Sequence, residues 1–147
     1  MLLTEDSLNT EIHAYLKANG VHVDSQVVLK LYGKNYKPDF YIQNGLRICG
    51  EGEWQKSIAK GLSQAAFYLD SNDVDVSFTI IYSNELESSI KDPDEKRKVV
   101  ELLQEQKFHV YYRRRNMPSA HKLLLFSELS PFFKNGDLST RSSSRNN

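Results

Sequence analysis

The 147 residues suffice for one domain with a real core and are too few for two ordinary ones. Nineteen basic residues balance nineteen acidic ones, which argues against tight nonspecific nucleic-acid binding by the whole surface, since such binding is driven by phosphate neutralisation. A single cysteine, Cys49, excludes an intrachain disulfide and a multi-thiolate zinc site, and reads as a small buried hydrophobe.

The start, MLLTEDSLNTE, is acidic and polar after two leucines, which is not the pattern of a signal peptide. No apolar run approaches membrane-spanning length, so a cytoplasmic location without membrane contact is the expectation. Thr4 or Asp6 caps a first helix with Leu8, Ile12, Tyr15 and Leu16 at helical spacing, and Asn19-Gly20 stops it. The stretch 21–32 is strand-like and ends at Gly33-Lys34-Asn35. Strands over 38–43 and 46–53 then meet across Asn44-Gly45, a strong hairpin signal. Ser57 opens a second helix with Ile58, Leu62, Ala65, Ala66 and Leu69 on one side.

Residues 76–82 are apolar on both faces, as in a central buried strand. Asp92-Pro93 begins a third helix, 108–112 form a strand, and 123–126 a further short one. The pattern predicts an α/β fold, a mixed sheet antiparallel at its hairpin and parallel through its crossovers, with helices on both sides. One domain spans 1–135, and 136–147 form a polar tail expected to be disordered.

Charge is scarce inside buried strands, so the hairpin is where chemistry is expected. Asp39 follows Pro38 at the head of one strand, and Glu51 and Glu53 share a face near the end of its partner. Carboxylates on one face repel unless a cation lies between them, and hard divalent ions take oxygen ligands, preferring few carboxylates and several waters. Register decides whether Asp39 can join Glu51. A strict two-residue Asn44-Gly45 loop sets Asp39 opposite Gly50 and turns Glu51 to the other face. A three-residue Gln43-Asn44-Gly45 loop sets Asp39 opposite Cys49, with Glu51 as diagonal neighbour about 7–8 Å away.

Pro38-Asp39-Phe40, a Gly-containing turn, an apolar strand and Glu51-Gly52-Glu53 together resemble the core of the PD-(D/E)XK nucleases. Gln64-Ala-Ala-Phe-Tyr68 is similar to the QxxxY element of their RecB-like branch, and Glu11 sits where many members carry an additional acid. The resemblance spans Thr4 to about Tyr82. It implies a restriction-endonuclease-like core and hydrolysis of DNA, less readily RNA, with Mg2+ or Mn2+. It also implies metal ligands from Asp39, Glu51, the Gly52 carbonyl and Glu11, with Gln64 and Tyr68 positioning the scissile strand.

Glu53 occupies the family's lysine position, as in some restriction enzymes, and orients or deprotonates the attacking water. In other members the lysine's role passes to the following helix, where Lys56 and Lys60 stand. At about 100° per residue Lys60 points almost opposite the apolar stripe of that helix, which favours Lys56.

Trp54 reads as packing, and His13, His22, His109 and His121 show no ligand spacing. Arg113-Arg114-Arg115, after Tyr111 and Tyr112, is the dense basic cluster, a solvated run or a phosphate-contacting edge. By analogy, similar domains adjoin helicase or methyltransferase modules, and a homodimer is another arrangement open to the chain. The competing reading is a catalytically inactive version of the fold that binds DNA or a protein. A third class, an α/β ligand-binding module, lacks the Gly-rich phosphate loop it would need.

Overall fold

The computed structural model describes residues 4–83, 107–114, 117–125 and 133. Thr4 caps α1 (Glu5–Ala18) reciprocally. Its hydroxyl accepts from Ser7 N at 3.1 Å, and Ser7 Oγ accepts from Thr4 N at 2.9 Å. Leu8, Ile12 and Leu16 form the buried line of this helix, as their spacing predicts.

The strand expected over 21–32 does not form as one piece. Asp24 makes an isolated bridge to Tyr41, and its carboxylate accepts from Gln26 N at 2.7 Å, a local turn that breaks the extended run. Instead β1 (Leu29–Leu31) pairs with β2 (Lys34–Tyr36) as a separate two-stranded hairpin.

Among the described residues the main sheet has five strands, β3 (Phe40–Gln43), β4 (Arg47–Trp54), β5 (Val76–Tyr82), β6 (Lys107–Arg114) and β7 (Met117–Leu125), in that spatial order. β4 and β5 are parallel, joined by α2 (Ile58–Tyr68), and every other neighbouring pair is antiparallel. Parallel pairing through each crossover, as the pattern predicts, does not extend from β5 to β6. The chain instead comes back antiparallel, Val76 against Tyr112 and Thr79 against His109. The third helix expected from Asp92, Phe126 and the polar tail 136–147 lie outside the described residues. β7 is longer than expected and contains Pro118, which an edge strand tolerates.

Among the described residues the fold is thus mixed α/β, with α1 on one face of the sheet and α2 on the other. On the α1 face, Leu8, Ile12 and Leu16 pack with Phe40, Ile48, Phe78, Ile80 and Val110. On the α2 face, Tyr68 and Leu69 join Leu29, Leu31, Tyr41, Cys49 and Val74, so the small hairpin seals that side. Among the described residues no helix is long and apolar enough to cross a membrane.

Gly50 lies under Phe78. A Cβ there would stand 2.2–2.4 Å from three ring atoms. The ring is itself wedged by Phe40 and Phe133, at centroid distances of 5.7 and 5.1 Å, so it has nowhere to go. Gly50→Ala is therefore expected to destabilise the chain by about 3 kcal/mol in urea denaturation, the cost of overpacking a filled core. A loss below about 1 kcal/mol would mean that the Phe78 ring yields.

Candidate active site

The loop between β3 and β4 has three residues, Asn44-Gly45-Leu46, with Gly45 at φ +104° and Gln43 opposite Arg47. The parity argument holds, but the loop sits one residue later than expected. The register accordingly moves by two. Phe40 lies opposite Gly50, which brings Asp39 level with Glu51 rather than diagonal to it. Within the loop Asn44 Oδ1 accepts the Leu46 N–H at 3.3 Å, and the Leu46 side chain packs against the α1-face core.

Because β3 begins opposite Gly50, β4 beyond that point has a strand partner on one side only. Carboxylates occupy the other side. Gly52 N donates to Asp39 Oδ2 at 2.9 Å, and Trp54 N donates to Glu5 Oε2 at 3.2 Å. A strand residue points its N–H and C=O the same way, so the Gly52 carbonyl faces this open edge as well.

Four acids meet here as two pairs. The Asp39 carboxyl is a hydrogen-bonding neighbour of Glu51, and the Glu5 carboxyl is one of Glu53. Burial, and then the adjacent Asp39, push the Glu51 carboxyl up to about 9. Burial and Glu5 push Glu53 up to about 7, opposed by the Lys60 charge. One acid of each pair, Asp39 and Glu5, acts on Tyr82, whose hydroxyl donates to Asn9 Oδ1 at 2.5 Å; burial, then those two charges, raise its pKa well above normal.

Tyr68 is only 1% exposed, and its hydroxyl donates a short hydrogen bond to Glu51 Oε1. Gln64 Nε2 donates to the same hydroxyl at 3.1 Å. The QxxxY pair thus holds the Glu51 carboxyl. A side chain so buried cannot at the same time touch a nucleic-acid strand, so the strand-positioning role read for Tyr68 does not fit its place here.

The buried line of α2 is Gly61, Ala65, Tyr68 and Leu69, whereas Ile58 is 38% exposed and Ala66 is exposed. Counting apolar residues missed this because Gly61 carries the closest contact. Its Cβ position would lie 3.0–3.3 Å from Thr79 and Glu53, and Thr79 Oγ1 donates to its carbonyl at 3.0 Å. The helix is consequently turned toward the Lys60–Gln64 side, and Lys60, not Lys56, is the lysine whose charge acts on Glu53. Lys56 is exposed on the 3-10 turn Gln55–Ser57.

Glu11 was the acid expected from α1, but Glu5 fills that place. Glu5, Asn9 and His13 follow at four-residue spacing along one face, and Glu11 lies about 200° round the axis from Asn9. That polar line beside the apolar Leu8-Ile12-Leu16 line was the signal available in the sequence. His13 Nε2 donates to the Asp39 carbonyl at 2.8 Å, and its ring stacks on Phe40. His13, Asn9, Thr10, Lys37 and Asp39 are among the residues lining a cleft of about 490 Å3, large enough for a nucleotide-sized ligand.

The other expectations sort simply. Trp54 is buried against Tyr82, and Cys49 is a buried thiol pushed up to about 12 by desolvation, so both are packing residues. Arg115 and the side chains of Arg113 and Arg114 lie outside the described residues. Among the described residues no three or more His, Cys, Asp or Glu side chains gather closely enough to hold a metal ion.

His109 and His121, without ligand spacing in the sequence, are brought together across β6 and β7. Nδ1 of one lies 3.1 Å from Nε2 of the other, and Tyr111 stacks on His121. Burial, and then the His121 charge, hold His109 below its ordinary value of 6.5. In the interval below 6.5 the unfolded chain binds more protons there than the folded one, so stability falls as pH drops and levels off below the folded value. Denaturation at pH 7.5 and 5.5 should show a smaller drop for His109→Gln than for wild type. Equal drops would show that the pair carries none of the effect.

Compared with family models, curated proteins and solved structures, the chain has no significant match among any of them.

Proposed function

We propose that the chain is a metal-dependent phosphodiesterase with a restriction-endonuclease-like core, acting on DNA. One observation carries the reading. Asp39, just ahead of β3, and Glu51 on the neighbouring β4 face each other at a strand edge where the Gly52 carbonyl also points. The donors are all hard oxygens, and two carboxylates with one carbonyl suit Mg2+ or Mn2+, whose remaining positions water fills. The raised Glu51 fits that use, because a proton is the alternative to a cation between a buried carboxyl and its half-buried neighbour.

A bound divalent ion would polarise a phosphodiester oxygen and acidify an attacking water. Asp39 and Glu51 would hold it, with Asp39 braced by Gly52 N–H and Glu51 by the Tyr68 hydroxyl. Glu53, poised at about 7, takes the proton of the attacking water, and Lys60 keeps its carboxylate form accessible near neutral pH. Glu5, rather than Glu11, supports Glu53. The 490 Å3 cleft beside Asp39 offers room for one nucleotide, with Lys37 on its wall to meet phosphate. Target choice would rest with other domains or subunits, such as a helicase or methyltransferase module.

The alternative, an inactive nuclease-fold module that binds DNA or a protein, draws on the pairing of Glu53 with Glu5. That pairing leaves an acid where the resemblance expects a lysine. A plasmid-cleavage assay titrated with Mg2+ and Mn2+ decides between them. Metal-dependent cutting supports the enzyme, and DNA binding without cutting at any metal concentration supports the inactive module.

A further inference from the structure

The β1–β2 hairpin has no part in the acidic site as described, yet its tip is built against local preference. Leu31 pairs with Lys34, leaving Tyr32-Gly33 as a two-residue loop, and both residues have positive φ, +52° and +77°. That turn favours Asn, Asp or Gly at its first position. A tyrosine there is strained, because in the left-handed region its Cβ crowds the following carbonyl oxygen. The strain does not serve the core, since Tyr32 is 78% exposed. One side of it is tied down: its hydroxyl donates to Asp70 Oδ2 at 3.0 Å and its ring lies 5.9 Å from Phe67. The tie orders the ring and leaves most of it open to solvent.

Apart from Asp70, which comes from the end of α2, the charge on the hairpin itself is basic. Residues 28–37 carry Lys30, Lys34 and Lys37, two tyrosines and no acid, and all three lysines are exposed. The hairpin also leads into the site. Tyr36 packs 6.3 Å from Tyr68, the residue that holds Glu51, and Lys37-Pro38 runs directly into Asp39. Seven residues at about 3.5 Å each put the Tyr32 backbone no more than about 25 Å from that of Asp39, a span of a few nucleotides.

We propose that this hairpin is a binding arm for single-stranded nucleic acid, in which Tyr32 stacks on an unpaired base while Lys30 and Lys34 hold the flanking phosphates and Lys37 leads the strand toward Asp39. An exposed, ordered aromatic ring on a hairpin whose own charged residues are all basic is what an unpaired base and its backbone require. A duplex buries its base faces and offers Tyr32 nothing to stack on. The inference rests on the nuclease reading for the purpose of the arm, but not for the binding it describes.

The test measures binding of the full chain in EDTA to fluorescent dT20, U20 and a 20-base-pair duplex, and separately Mg2+-dependent cutting. Tyr32→Gly removes the ring and relieves the turn, so the fold is kept. Its affinity for the single strand should fall by about 5- to 100-fold, the worth of one base–aromatic stack, with thermal stability unchanged or raised. Tyr32→Phe loses the Asp70 hydrogen bond but should keep the affinity, which separates stacking from a mere latch. Lys30→Glu with Lys34→Glu should reduce the salt dependence of binding. Tighter binding of dT20 or of U20 tells which sugar is preferred, and either supports the arm.

Wild-type affinity in Tyr32→Gly, equal losses in the Phe and Gly variants, or no single-strand binding by wild type overturns the proposal. The nuclease reading fails separately, if binding is seen as described but no metal brings about cutting.

Discussion

Asp39→Asn is expected to lower Mg2+- or Mn2+-dependent DNA cleavage by about 1,000-fold or more, equivalent to roughly 4 kcal/mol of transition-state stabilisation. The substitution keeps the shape and leaves an amide oxygen to accept the Gly52 N–H, so the open edge of β4 stays braced. What it removes is one of the two negative charges that would hold the cation. Because the fold is spared, the loss should appear with an unchanged thermal transition in the absence of metal. Lys60→Ala should reduce cleavage further than Lys56→Ala does, since Lys60 is the lysine whose charge reaches Glu53. Cutting by Asp39→Asn at the wild-type rate would remove the proposed site altogether.

In the metal-free chain, stability should fall steeply as pH rises, and Glu51→Gln should flatten that fall. The Glu51 carboxyl is raised to about 9 in the folded state from 4.5 when free, so across that interval the folded chain holds a proton that the unfolded chain has lost. Stability from this group is complete below 4.5 and is lost as pH climbs through 9, at about 1.4 kcal/mol per pH unit. The total is on the order of 6 kcal/mol, comparable with the whole stability of a small domain. Glutamine is neutral at every pH and still accepts the Tyr68 hydroxyl, so the wild-type minus variant difference isolates the carboxyl. Denaturant titrations at pH 6 and 8.5 measure it. Added Mg2+ should rescue wild type at pH 8.5 more than at pH 6, because at the lower pH it must displace a proton. Parallel pH profiles for the two proteins would show that Glu51 does not hold a proton against Asp39 in the folded chain.

These expectations rest on residues that the sequence singled out for local reasons. Asp39, Glu51 and Glu53 stood out because charge inside a buried hairpin is costly, and alternation along β4 put the two glutamates on one face, where the structure has them. The cap at Thr4, the Leu8-Ile12-Leu16 line, the hairpin at Asn44-Gly45 and the buried strand from Val76 were legible in the same way. Each is set by neighbours within a few residues: a hydroxyl three residues from an N–H, a repeat of three and four, a glycine that accepts positive φ.

Tertiary packing decided what no local rule reaches. The choice of Leu46 over Gln43 as the third loop residue moved the register by two and set Asp39 level with Glu51. Hydrophobic periodicity counts side chains, so it passed over Gly61, whose missing side chain lets α2 lie close on the sheet and turns Lys60 toward Glu53. Glu5 reaches Glu53 only because α1 begins beside the open edge of β4, with Glu5 forty-nine residues away in the chain from Trp54, whose N–H it accepts. The sequence by itself determined which elements form and which of them carry acid. Which acid meets which depends on how one element docks on another, and that is settled by close contacts across the fold rather than by spacing along the chain.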